Sequence, residues 1–300
     1  MSAPKRVKRA ISGWVVLNKP YDMTSTQAVG KVRWLFGAAK AGHAGTLDPL
    51  ATGILPIALG EATKAVPQVQ DGTKVYHFAI QWGRATTTDD AEGSVVATSD
   101  IRPDQAAVEA ILPHFTGLIM QRPPIYSALK IDGERAYDLA RAGEAVELAP
   151  REIRVDALNL LTHDAERTVL EAVCGKGTYV RSLARDIAEA LGTRGHVSML
   201  HRAAVGPFSD GDAVTIDQLE ALSPEERDGL LKPVAAGFSD LPEIVLNPQQ
   251  AAAVRHGNAV LLTGAGAPVS LDECWVSFKG EVMATGWVEF GQFKCRRVFN

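Results

Sequence analysis

Residues 42 to 53 read GHAGTLDPLATG and hold one carboxylate, Asp48, among small and apolar neighbours. His43 is the only other titratable side chain in the stretch. An aspartate before a proline often does no more than start a turn by bonding its own backbone. Here the small neighbours leave room for a bulky reactant. Gly42, Gly45 and Gly53 permit a tight backbone path. The apolar run LATGILPIALG behind the loop holds it against a core. An ionised carboxylate in such a place can act as a nucleophile or a general base.

A second candidate lies in KGTYVRSLARDIAEALG, residues 176 to 192. A strand, a glycine turn and a helix start place Tyr179 and Arg181 near a helix N-terminus. That end of a helix disfavours positive charge. Arg181 is better accommodated where a carboxylate faces it, and Asp48 is a candidate partner. Other chemistries fit less well. His43, Asp48, Asp89 and Asp90 lack any metal-ligand spacing, and no H-E-x-x-H is present. GKGT at 175 to 178 has a glycine between Lys176 and Thr178, which a phosphate-binding P-loop does not allow, and GEATK at 60 to 64 fails likewise. Cys174, Cys274 and Cys295 form no C-x-x-C, so neither a zinc site nor a disulfide framework is expected.

The elements that must position these residues can be read from periodicity. Residues 14 to 18 read as a strand. Thr24, Ser25 and Thr26 supply N-cap candidates for a helix with Ala28, Val29, Val32, Leu35 and Phe36 on one face. Val75 to Trp82 reads as a strand with Tyr76, Phe78 and Ile80 on one face, followed by a polar loop, ATTTDDAEG. Ala106 to Phe115 is expected to be helical. RPPIYSALKIDGERAYDLARAGE begins as a proline-stiffened loop and is expected to turn helical near Arg135. Thr168 to Cys174 is a strand, and Leu183, Ile187 and Leu191 form the stripe of a helix closed by Gly192. Short helices are expected at 215–222 and 225–231. Residues 236 to 247 have the composition of a linker, and short strand-like runs at 259–263, 275–278 and 282–288 suggest a small β-rich module.

Net charge is -4 and the composition is globular. No apolar run reaches the length of a membrane span, and MSAPKRVKRA lacks the apolar stretch of a signal peptide. A cytoplasmic protein is expected. Local cation clusters remain available to bind nucleic acid. They are Lys5, Arg6, Lys8 and Arg9 at the start, Lys294, Arg296 and Arg297 at the end, and Arg122, Lys130, Arg135 and Arg141 between.

Several long motifs, taken in order, resemble the TruB family of tRNA pseudouridine synthases: GWVVLNKPYDMTS, GHAGTLDPLATGILPIALGEATK, PPIYSALKIDGERAYDLARAGE, GKGTYVRSLARDIAEALG and MLHRAAVGPF. The resemblance runs from about residue 11 to 235. It implies an α+β pseudouridine synthase fold, with a central mixed or antiparallel sheet flanked by helices. Residues 1–236 would form the catalytic domain, with an RNA-gripping insert at about 123–152. Residues 240–300 resemble a PUA-like RNA-binding domain. The implied reaction isomerises uridine 55 in the T arm of tRNA to pseudouridine, by base flipping and without cofactor or metal.

The resemblance also assigns roles. Asp48 is the essential carboxylate and Arg181 its partner. Tyr76 stacks on the target base, and its hydroxyl can serve as the base that removes the final proton. Tyr179 and Leu200 line the pocket, Lys19 supports it, and His43 lies close to the RNA. An arginine beside an aspartate typically lowers the carboxyl pKa by about 1–3 units, and a second acid would oppose that. The implied partner is the T stem-loop, with no membrane, no obligatory protein partner and a monomeric chain. Two positions depart from the family pattern. In TTTDD, at 86 to 90, Asp90 fits the last acid but Thr87 replaces an earlier one. His201 stands where an arginine is common. Three other readings compete: an RNA-binding or tRNA-folding protein in which catalysis is secondary, an RNA-guided relative, and a metal-dependent hydrolase.

Overall fold

The computed structural model describes residues 8–127, 130–131, 134–135 and 148–299. Strand β1 (Gly13–Lys19) leads to α1 (Ser25–Phe36), β2 (Ala41–His43), β3 (Thr52–Leu59), α2 (Val66–Asp71) and β4 (Lys74–Trp82). A hairpin of β5 (Arg84–Thr86) and β6 (Val95–Thr98) precedes α3 (Gln105–Ile111) and β7 (Gly117–Gln121). The pair β8 (Lys130–Ile131) and β9 (Glu134–Arg135) is followed by β10 (Arg151–His163), β11 (Arg167–Cys174), α4 (Val180–Ala190), β12 (Gly195–Val205) and β13 (Phe208–Ser209). Then come α5 (Ile216–Ala221), α6 (Pro224–Asp228), β14 (Glu243–Val245), α7 (Pro248–Arg255), β15 (Val260–Leu261), β16 (Leu271–Phe278), β17 (Glu281–Glu289) and β18 (Gln292–Val298).

The main sheet runs β1-β3-β12-β4-β11-β10-β7, with β2 paired to β3 and β13 to β12. Its pairings are antiparallel except that of β12 with β3, so the sheet is mixed. That one parallel contact matters, because it sets His201 and Arg202 beside Thr52 and Gly53 at the end of the Asp48 loop. A second sheet, β14-β16-β17-β18-β15, is built from the C-terminal strands.

Each expected apolar stripe finds a partner. Leu183, Ala184, Ile187 and Ala188 of α4 pack on Phe78, Ile80, Leu170 and Ala172 of the sheet. Ala28, Val32, Leu35 and Phe36 of α1 pack on Val15 and Leu17 of β1. The other face of β1, Trp14 and Val16, joins Phe238, Trp275 and Phe299 in a third core. Strand β1 is therefore apolar on both faces because both are covered. Helix α1 starts at Thr24, whose side chain accepts from the Gln27 amide in a full capping box, and ends at Gly37 in the left-handed region.

Several expectations need correction. Lys130–Ile131 and Glu134–Arg135 pair as two short strands, and the helix expected from near Arg135 falls on residues 136–147, outside the described residues. The helix expected to reach Phe115 stops at Ile111 and continues as a 3-10 turn. The polar loop after β4 begins as strand β5. Residues 236–247 are not a loose tether, since Phe238 is buried against Trp275 and Glu243–Val245 forms β14 alongside β16. Strands β10, β12 and β18 and helix α7 carry no prior expectation. Strand β12 interleaves buried and exposed residues with histidine and serine, which hides its period.

Gly53 sits at φ 100, and a Cβ there would lie 2.3 Å from the Arg202 carbonyl oxygen. Gly42 has ordinary backbone and open space around it. Gly53→Ala is expected to lower unfolding free energy by roughly 2–4 kcal/mol. Gly42→Ala should leave it within about 1 kcal/mol. Urea denaturation of the two variants checks both, and equal effects would contradict the assignment of the tight turn to Gly53.

Candidate active site

The loop carrying Asp48 is fixed through its backbone. The Ser25 hydroxyl, at the start of α1, accepts from the Leu47 amide at 2.9 Å and donates to the Leu47 carbonyl at 3.0 Å. Lys19, at the end of β1, is fully buried and donates to the carbonyls of Pro20, Met23 and Pro49 at 2.8, 2.7 and 3.1 Å. The three donors of its ammonium are thereby satisfied. The Asp22 amide adds a second bond to Pro49, and the Ala51 amide closes the turn onto the Asp48 carbonyl. Arg202, also fully buried, donates to Gly45, Thr46 and Ile54 carbonyls at 3.0, 3.3 and 2.8 Å. Charge-assisted bonds of this kind are about twice as strong as neutral ones.

Asp48 and Arg181 meet as the helix argument requires. Arg181 Nε lies 3.0 Å from Asp48 Oδ2. The guanidinium side chain is 8% exposed and the carboxylate 39%, so the cation is walled in while the anion faces open space. Asp48 is not the only acid on this arginine. Asp90, itself buried, lies 3.5 Å from Arg181 Nη1 on the other side. The carbonyls of Thr88 and Tyr126 accept from Nη1 and Nη2 at 3.1 and 3.0 Å. One turn later, Arg185 pairs with Asp89 at 2.8 Å. Asp89 adopts φ 60, a left-handed kink in the chain beside the second of two consecutive clamped acids. The TTTDD segment is thus a double clamp on α4, and Thr87 takes no part in either ion pair.

The Asp48 carboxylate opens onto a cavity of about 560 Å³. Its walls include Tyr76 from β4, Leu200 and Arg202 from β12, Tyr179 and Arg181 from the start of α4, and Lys74. That size suits a nucleoside or similar small group. Tyr76 and Leu200 pack against two of the cores at once, which fixes the wall they form. Tyr179 occupies the N-cap position of α4 without capping it by its side chain. Buried Gln121 instead exchanges hydrogen bonds with the Tyr179 amide and carbonyl, at 2.8 and 3.1 Å. Burial pushes the Tyr179 hydroxyl above its ordinary pKa.

Of the residues singled out in the sequence, Asp48, Tyr76, Tyr179, Arg181 and Leu200 come together around the cavity. Lys19 and His43 do not line it. Lys19 lies behind the loop as described, and His43 ends β2 opposite Ile57, with its Nδ1 buried and unpartnered among the described residues. Burial, with Arg202 next, pulls the His43 pKa down. His201 bonds Thr52 and Asp210 at 2.9 and 3.0 Å, and alternation along β12 turns it to the face opposite Arg202. Ser25, Gln121 and Arg202 went unremarked in the sequence. For Arg202 a signal existed: it stands two residues after Leu200 on a strand, hence on the same face. Among the described residues no group of three or more His, Cys, Asp or Glu is placed to hold a metal ion.

Residues 33–180 match the TruB family pseudouridylate synthase N-terminal domain. Residues 181–239 match the tRNA pseudouridylate synthase B C-terminal domain. The chain is 52% identical to tRNA pseudouridine synthase B of Brucella anthropi over 99% of its own length and 98% of the relative's. It is 50% identical to the protein of that name from Mesorhizobium japonicum, over 98% of each. Among solved structures, a chain of a Cbf5–Nop10–Gar1 complex is 25% identical with a TM-score of 0.72, covering 96% of this chain and 84% of that one. A chain of an H/ACA RNP bound to a substrate RNA containing 2'-deoxyuridine shares the fold at 23% identity and a TM-score of 0.74, over 96% and 85%. The mixed sheet flanked by helices, with its C-terminal PUA-like sheet, is the pseudouridine synthase architecture of these relatives. With family domains matching from residue 33 to 239 around the Asp48 cavity, and relatives half identical along nearly the whole chain, the protein belongs to the TruB family of pseudouridylate synthases.

Proposed function

We propose that this chain isomerises uridine 55 in the T stem-loop of tRNA to pseudouridine, with Asp48 as the essential carboxylate. The observation that carries the reading is the Asp48 carboxylate itself, paired at 3.0 Å to a walled-in arginine and open to a nucleoside-sized cavity. The target base leaves its stack at a cost of a few kcal/mol. Stacking on the Tyr76 ring, typically worth about 1–3 kcal/mol, offsets part of that. Tyr179 and Leu200 line the rest of the pocket. The glycosidic bond breaks, the uracil turns, and C5 bonds to C1′. Atoms are conserved, so the reaction consumes no cofactor. Asp48 acts at the sugar, Arg181 holds it in place, and the Tyr76 oxygen takes the C5 proton as its own passes to water and N1 takes one from water. Lys19 acts from behind, through the carbonyl of Pro49.

The wider organisation belongs to the same proposal. Residues 1–236 act as the catalytic domain, with the segment at about 123–152 gripping the RNA by shape and phosphate. Residues 240–300 act as an RNA-binding module. The chain works as a monomer on naked tRNA, without an obligatory protein partner.

A pseudouridine map of an unmodified tRNA transcript, made in EDTA, tests the function. Wild type is expected to give one new pseudouridine, at position 55, and Asp48→Asn none while still binding the transcript. Tight binding by wild type without modification would leave only an RNA-binding role.

The buried ammonium of Lys19 gives a pH prediction. Burial lowers its pKa from the ordinary 10.5 to about 8. Between those values the unfolded chain holds more protons than the folded one, so this group makes stability rise with pH across that window. Activity should move the other way. Loss of the proton removes a donor from the carbonyls that anchor Pro49, so the rate is expected to fall above about pH 8 while the protein stays folded. Burial lowers Lys74 to about 8 as well, but Lys74 bonds Gln70 and Gly72 rather than the Asp48 loop. The falling limb should therefore persist in Lys74→Met; its disappearance there would transfer the effect to Lys74.

A further inference from the structure

Arg202 is among the largest fully buried side chains of the protein. Taking a guanidinium out of water costs several kcal/mol unless its donors are met. Three backbone carbonyls accept from it, two of them, Gly45 and Thr46, just ahead of Asp48. A guanidinium has five N–H groups, so the backbone alone does not exhaust it. Arg202 stands directly opposite Tyr76 in the antiparallel pairing of β12 with β4. Such opposed residues have Cβ atoms about 4.5–5.5 Å apart and side chains on one face. Both line the cavity.

We propose that Arg202 is a positioning residue for the reaction, its guanidinium tying the Tyr76 hydroxyl to the backbone of the Asp48 loop. The inference rests on the pseudouridine synthase reading above. Two consequences follow from the geometry. The stacking ring and the carboxylate loop are held by one rigid, planar cation, so their separation is fixed before the RNA arrives. The cation also supports negative charge on the Tyr76 oxygen. Burial pushes that hydroxyl above its ordinary pKa, and Arg202 is the largest influence in the other direction, by charge and by hydrogen bonding. Cys174 and Asp48, which also act on it, push it up. In the last chemical step the Tyr76 oxygen takes the proton from C5 as its own hydroxyl proton passes to water. The C–H electron pair closes the C5–C6 double bond, the C6–N1 π pair moves onto N1, and N1 takes a proton from water.

The test uses single-turnover rates on unmodified tRNA carrying hydrogen or deuterium at C5 of the target uridine. Wild type, Arg202→Met and Arg202→Lys are compared. Arg202→Met is expected to react about a hundredfold more slowly, the usual scale for impaired general base catalysis, with a larger deuterium effect than wild type. Arg202→Lys, which keeps a cation, should recover part of the rate. A purely structural loss would slow the reaction without enlarging the isotope effect. That result, or an Arg202→Met rate equal to wild type, overturns the proposal. If thermal melting shows that Arg202→Met does not fold, the same two readouts in Arg202→Lys decide. Absence of product with wild type is a separate failure, that of the underlying reading, and takes this inference with it.

Discussion

The rest of the site depends on the burial of one guanidinium. Arg181 is walled in at the first turn of α4, where the helix field opposes it. It can remain there only because two carboxylates and two carbonyls surround it. Those four groups come from different parts of the chain: the Asp48 loop, the Thr88–Asp90 segment and Tyr126. Satisfying one cation therefore draws three separate segments to one point. Removing either carboxylate would leave charge without full compensation in a place where that is costly.

A second constraint works on the backbone. Asp48 lies in a connection between β2 and β3, and such segments are ordinarily the mobile parts of a fold. Here Ser25, Lys19 and Arg202 bond its carbonyls and amide from three sides. The parallel contact of β3 with β12 places Gly53 so close to Arg202 that only a glycine fits. Since Arg202 also faces Tyr76, the sheet register itself relates the carboxylate loop to the aromatic wall. Precision at the site is thus inherited from strand pairing, not from the loop.

Much of this was legible in the sequence. The alternation of Tyr76, Phe78 and Ile80 announced a strand with one face covered, and the stripe of Leu183 and Ile187 announced the helix that covers it. The misplaced charge of Arg181 pointed to a facing acid, and Asp48 is that acid. Asp90 escaped as a second partner because its approach depends on a left-handed residue at Asp89, which a polar string such as TTTDD does not reveal. Arg202 escaped in another way, and Lys19 is marked only by the family resemblance. Their partners are backbone carbonyls, which every residue carries, so no side-chain pattern marks them. The resemblance puts His43 close to the RNA, and its place in β2 follows from pairing with β3, which is a long-range fact.

The distribution of exposure explains how a single carboxylate can do the work. Lys19, Arg181 and Arg202 are buried with their donors spent largely on the protein itself. A substrate entering the cavity meets Arg181 and Arg202 already oriented, on a loop that Lys19 holds from behind, so little reorganisation remains for the reacting state. Of the charged groups that meet at Arg181, the Asp48 carboxylate is the one that stays substantially open, at 39% exposure against 8% for its partner. Asp71, which also lines the cavity, is paired with Lys176 at 2.8 Å. Asp90, which shares Arg181 with Asp48, is buried and does not line that cavity, so it supports the arginine without competing there. The solitary look of Asp48 in GHAGTLDPLATG reflects this division: of the two acids on Arg181, one lines the cavity and the other is buried away from it.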